Sequence, residues 1–123
     1  EKASLGGFYD VADTVVASFR FRSGVLGTGT WCFVGPEGRS EDSILITGSE
    51  GSIRLAVFSF EPIAVTTAQG VQHFAVPAPE HIQGPLIETI VNELRGFGQC
   101  PSTGVSASRT AWVMDRILQG RTD

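Results

Sequence analysis

The sequence predicts an α+β fold: a single, largely antiparallel β-sheet with two C-terminal helices packed on one face. The first observation is a change of hydrophobic period. Before Pro85 apolar residues recur at alternate positions, as in half-buried strands; after it they recur every three or four residues, as on one side of a helix. The second is the stretch Ile44 to Leu55, Ile-Leu-Ile-Thr-Gly-Ser-Glu-Gly-Ser-Ile-Arg-Leu, in which two β-rich runs flank a turn bracketed by Gly48 and Gly51. Glycine at both ends makes left-handed or tight backbone angles available, so the stretch reads as a hairpin inside the sheet. The 123 residues, 41% hydrophobic and 18% charged, suit one domain over 1–123 with a core of its own.

Residues 1–12 lack periodicity and read as an irregular lead-in. From Asp13, Val15, Ala17, Phe19 and Phe21 alternate as a strand, and Ser23-Gly24 turns the chain into a second strand over 25–34. A two-residue loop pairs Arg22 with Val25. That register puts Phe21, Phe19, Ala17 and Val15 on one face with Leu26, Thr28, Thr30 and Cys32. The opposite face then carries Val16, Val25, Trp31 and Phe33, a set too apolar to face water and the expected homo-oligomer interface. Gly35 to Ser40 is a polar loop, and strand character runs on from Leu55 through Val57 and Phe58. Two short strands, Ile63 to Thr67 and Val71 to Val76, flank Gln69-Gly70.

Pro77-Ala78-Pro79-Glu80 is a stiff connection, since each proline fixes its own φ and disfavours helix in the residue before it. Leu86, Ile87, Ile90, Val91, Leu94 and Phe97 then form the stripe of a first helix, ended by Gly96 or Gly98. A second helix starts from Ser102 or Thr103 as N-cap, runs to Leu118 and stops at Gly120. Phe19, Phe21, Ile90 and Leu94 are the expected core.

Charge and composition exclude several classes. A net charge of −4 with nine scattered Lys and Arg residues gives no basic footprint for nucleic acid. No apolar run reaches the ~18 residues of a membrane span, and no secretory leader opens the chain, which leaves a cytoplasmic address as the expectation. Cys32 and Cys100 stand in no metal spacing and read as two free thiols of a reducing compartment. The chain opens on Glu1 and its one methionine is Met114, so either the natural start was processed away or, the favoured expectation, this is an excised piece of something longer.

The search for chemistry-bearing patterns returns little. Gly27-Thr28-Gly29 lies within a strand and lacks the third glycine of a dinucleotide fingerprint. Gly48-Ser49-Glu50-Gly51 has no phosphate-loop lysine and leads to a strand. Neither Gly51-Ser52 nor Gly104-Val105-Ser106 supplies the second glycine of a nucleophile elbow. Of the two histidines, His73 falls in a strand, while His81 precedes the first helix and is the candidate for a substrate-pocket edge. Asp10 and Asp13 form a carboxylate pair or, more commonly at such positions, serve as strand-entry turn acids. Arg95, Arg109, Arg116 and Arg121 read as a solvated helix face, and Trp112 as core. No catalytic, cofactor-binding or metal-ligating residue is assigned.

Several phrases in order resemble the C-terminal domain of the glucose-fructose oxidoreductase, inositol dehydrogenase and rhizopine catabolism (Gfo/Idh/MocA) family. They are Asp13 with Phe19-Arg20-Phe21-Arg22-Ser23-Gly24-Val25-Leu26-Gly27, then Ile46-Thr47-Gly48-Ser49-Glu50-Gly51-Ser52-Ile53, and Pro85-Leu86-Ile87 through Pro101-Ser102-Thr103-Gly104 to Met114-Asp115. The resemblance covers nearly the whole chain. It implies a parent enzyme in which a missing N-terminal Rossmann domain holds NAD or NADP and this domain helps form the substrate pocket and the oligomer interface. It further implies hydride transfer at a sugar, polyol or related hydroxyl. The family's lysine motif is not matched at Glu1-Lys2, where Ala3 replaces the proline. This chain alone is therefore expected to be inactive. A reading from another class remains, a self-standing dimeric interaction module without enzymatic activity.

Overall fold

The computed structural model describes residues 1–6 and 9–120. Part of the lead-in, Gly7 and Phe8, and the Arg121 assigned to a helix face lie outside the described residues. The fold class is α+β as expected, but the strands form two antiparallel sheets instead of a single one. Two compact units contain them: 1–39 with 102–123, and 40–101.

The first unit holds a three-stranded sheet ordered β1 (Lys2–Ala3), β2 (Thr14–Arg20), β3 (Leu26–Cys32), and the helix α2 (Gly104–Gln119). β1 arises within the expected irregular lead-in, paired as Lys2 with Val15 and Ala3 with Thr14. The β2–β3 connection differs from the two-residue loop by one residue. Gly24 N–H donates to the Phe21 carbonyl at 2.9 Å and Phe21 N–H to that of Val25 at 2.8 Å, which leaves Arg22, Ser23 and Gly24 as the loop. Gly24 has φ 90°, the left-handed residue that a three-residue hairpin loop requires after its turn.

A one-residue change of register moves every side chain to the other face. Val15 is paired with Trp31, Ala17 with Gly29 and Phe19 with Gly27, while Val16 is paired with Thr30. Val16 is therefore on the opposite face from Val25, Trp31 and Phe33, and the expected four-residue cluster is not formed by one face. The aromatic face gains Phe19 and Phe21 instead, whose rings meet edge to face at 5.6 Å between centroids. Its two glycines make room for rings. A Cβ on Gly27 would come within 2.4 Å of the Phe19 ring, and one on Gly29 within 2.3 Å of the Trp31 ring.

The second unit holds a four-stranded sheet ordered β4 (Ile44–Thr47), β5 (Gly51–Leu55), β6 (Ile63–Thr67), β7 (Gly70–Phe74), and the helix α1 (Gly84–Leu94). The Ile44 to Leu55 hairpin is present, with Ile44 opposite Leu55 and Thr47 opposite Ser52, but β4 is an edge strand rather than an interior one. Neither Gly48 nor Gly51 has a positive φ. Gly51 is needed for space: a Cβ there would meet the Thr66 carbonyl oxygen of β6 at 2.1 Å. β5 ends at Leu55, so Val57 and Phe58 are not strand, and β7 ends at Phe74.

Both helices have the terminal chemistry their sequences call for. At the end of α1, Phe97 N–H donates to the Asn92 carbonyl and Gly96 N–H to that of Glu93, with Gly96 at φ 79°, a Schellman closure. Thr103 caps α2. Its hydroxyl accepts from Ser106 N–H at 3.1 Å, and the Ser106 hydroxyl accepts from Thr103 N–H at 2.9 Å, with serine in the place usually taken by Glu or Gln. Gly120 closes the helix in the left-handed conformation.

The expected core residues are not buried. Phe19 is 37% exposed, Leu94 82%, and Phe21 and Ile90 lie between. Trp112 is exposed too, with the Arg116 guanidinium 4.9 Å from its ring centroid, a pairing across one helical turn. Among the described residues only Asp13 and Cys100 are buried. The close approaches between elements are those of paired strands, and neither helix comes as near to a sheet, so the apolar faces of the strands stay open.

Candidate functional site

Among the described residues, polar side chains gather at three places. The most ordered is around Asp13, at the entry to β2, where the carboxylate is 4% exposed. It accepts from the backbone N–H of Leu5 at 2.8 Å and of Gly6 at 2.7 Å, from the Tyr9 hydroxyl at 3.1 Å and from the Thr14 hydroxyl at 3.0 Å. Its own backbone N–H donates to the Ala3 carbonyl, and its carbonyl accepts from Phe33 N–H, so the residue joins all three strands of its sheet. Burial alone raises the Asp13 pKa, but the donors from Gly6, Leu5, Thr14 and Tyr9 together outweigh it and hold the carboxyl below its ordinary value. The Tyr9 phenol is raised by burial, then by its hydrogen bond to Asp13 and that residue's charge. A carboxylate so fully occupied is a strand-entry turn acid.

The second place is an open cleft of about 950 Å³ within the first unit, between β2 and α2. Helical spacing sets Arg109, Trp112, Val113 and Arg116 along one side, and Val16, Phe19 and Arg20 of β2 lie on the other. At one end of α2 the Lys2 ammonium of β1 donates to the Leu118 carbonyl, a cation placed on the negative end of the helix. Val16 thus lines a cleft beside α2, whereas Trp31 and Phe33 do not.

The third is a shallow notch of about 270 Å³ in the second unit, and it contains His73. Arg54 is paired with Ala64, and Ala64 with His73, so the three form a row across β5, β6 and β7 on one face. The short Ala64 between two long polar side chains leaves the gap. Asp42 and Glu61 also border it, and Arg54 is 3.6 Å from the Glu41 carboxylate in an exposed pair of little energetic weight. One oxygen of Asp42 accepts the N–H groups of both Val57 and Phe58, which ties the exit of β5 to the entry of β4.

His81, the residue expected at a pocket edge, is exposed ahead of α1 and lines neither opening. Its carbonyl accepts from Gly84 N–H at 2.9 Å as the chain turns into the helix. The His73 notch was missed by sequence reasoning, although the alternation of β7 and the small Ala64 opposite were its available signals. Neither Cys32 nor Cys100 is in a disulfide. Among the described residues no three His, Cys, Asp or Glu side chains are placed to hold a metal ion, and no helix is long and apolar enough to cross a membrane.

No protein-family model matches the chain. It is related to Oxidoreductase P35 of Formosa agariphila, with 31% identity over 97 residues. That match takes in 77% of this chain and 29% of the relative, so the chain spans under a third of the length of the protein it matches. The relationship is to an oxidoreductase.

Proposed function

We propose that the chain is the substrate-pocket and oligomerisation domain of an NAD(P)-dependent oxidoreductase acting on a sugar, polyol or related hydroxyl, of the Gfo/Idh/MocA kind. The observation that carries the reading is the match to 29% of Oxidoreductase P35. A partial match of that size, in a sequence without a glycine fingerprint, suits a domain that supports chemistry carried elsewhere in the parent protein. In this reading a Rossmann domain of the parent binds NAD or NADP and supplies the catalytic residues. The aromatic face of the first sheet, with Phe21, Val25, Trp31 and Phe33 all exposed, supports the oligomerisation role.

The same face also favours the second reading, a dimeric interaction module without activity. The encoding reading frame separates the two. The enzyme reading expects a strand followed by Gly-x-Gly-x-x-Gly upstream, and the product of the full frame should reduce NAD or NADP in the presence of a sugar or polyol from a panel. A frame whose product has no such fingerprint, and which shows no binding of either nucleotide, overturns it. The chain by itself should give a flat calorimetric titration with NADH and NADPH.

A further inference from the structure

We draw no further inference here: the strongest candidate, the open cleft between β2 and α2 that carries Arg20, Arg109 and Trp112, is an exposed surface for which nothing in the structure shows what covers it.

Discussion

Replacing Gly51 by alanine tests the central hairpin, because Gly48 in the same turn provides an internal control. A Cβ on Gly51 would lie 2.1 Å from the Thr66 carbonyl oxygen and 3.1 Å from its carbon. Both atoms are backbone of the neighbouring strand, so relief requires moving β6 away from β5 by about 1 Å, more than a ladder hydrogen bond tolerates. Overpacking strain of about 1–3 kcal/mol and a weakened hydrogen bond worth ~1 kcal/mol oppose a gain of ~0.5–1 kcal/mol from the stiffer unfolded chain. The net loss is about 2 kcal/mol, or a fall in melting temperature of about 10 °C for a unit of this size. A Cβ on Gly48 meets nothing nearer than the Gly51 carbonyl oxygen at 3.8 Å, an ordinary contact, so Gly48→Ala should stay within ~0.5 kcal/mol of the parent chain. Urea and thermal melts followed by circular dichroism measure both. Equal stability of Gly51→Ala and the parent, or equal damage from both substitutions, would refute the strand spacing on which the argument rests.

Other expectations follow from the caps, the buried carboxylate and the corrected register. Thr103→Ala should cost about 1 kcal/mol in a urea melt, since it removes the acceptor for Ser106 N–H, and Thr103→Ser should restore most of it. The folded-state pKa of Asp13 is depressed, so its stabilising contribution is complete above the ordinary carboxylate pKa and declines as pH falls through the lower folded value. Urea midpoints between neutral and acidic pH should show that decline, and Asp13→Asn should lower the neutral-pH midpoint and flatten the acid limb. If the aromatic face of the first sheet is the oligomer interface, Trp31→Glu should give monomers by light scattering. Val16→Glu, on the opposite face, should leave the oligomer intact. A fully oligomeric Trp31→Glu, or a parent chain that is monomeric at high micromolar concentration, would remove the interface proposal.

The elements were legible where the signal is local. Alternation at Val15 to Phe21, the helical stripe from Leu86, the Thr103 cap and the Gly96 and Gly120 stops all act within a turn or two of the chain, and all appear in the structure. Register was not legible at Ser23-Gly24, because glycine serves either a two-residue loop or the left-handed position closing a three-residue one. That small ambiguity reversed the face of Val16. Division into two sheets was hidden for another reason: pairing across the long loop between β3 and β4 depends on distant strands, and a period of two says nothing about which strand lies alongside. The histidines show the same limit. A position just before a helix drew attention to His81, while His73 borders a notch only because Ala64 is its cross-strand neighbour.

The hydrogen bonds around the carboxylates bear on what kind of role the chain plays. A general base needs an unoccupied lone pair within reach of the proton it removes. Asp13 instead accepts from two backbone N–H groups and two hydroxyls, and one oxygen of Asp42 already holds two backbone N–H groups. In each case the donors come from chain segments that the carboxylate holds together, the strand entries of the first sheet and the β4 and β5 ends of the second. The acids that look most organised are thus spent on architecture. The groups left at open surfaces, Arg20, Arg54, His73 and Arg109, are suited to contacting a ligand or another protein surface. That distribution is the one expected under the proposal that the domain shapes a pocket and an interface.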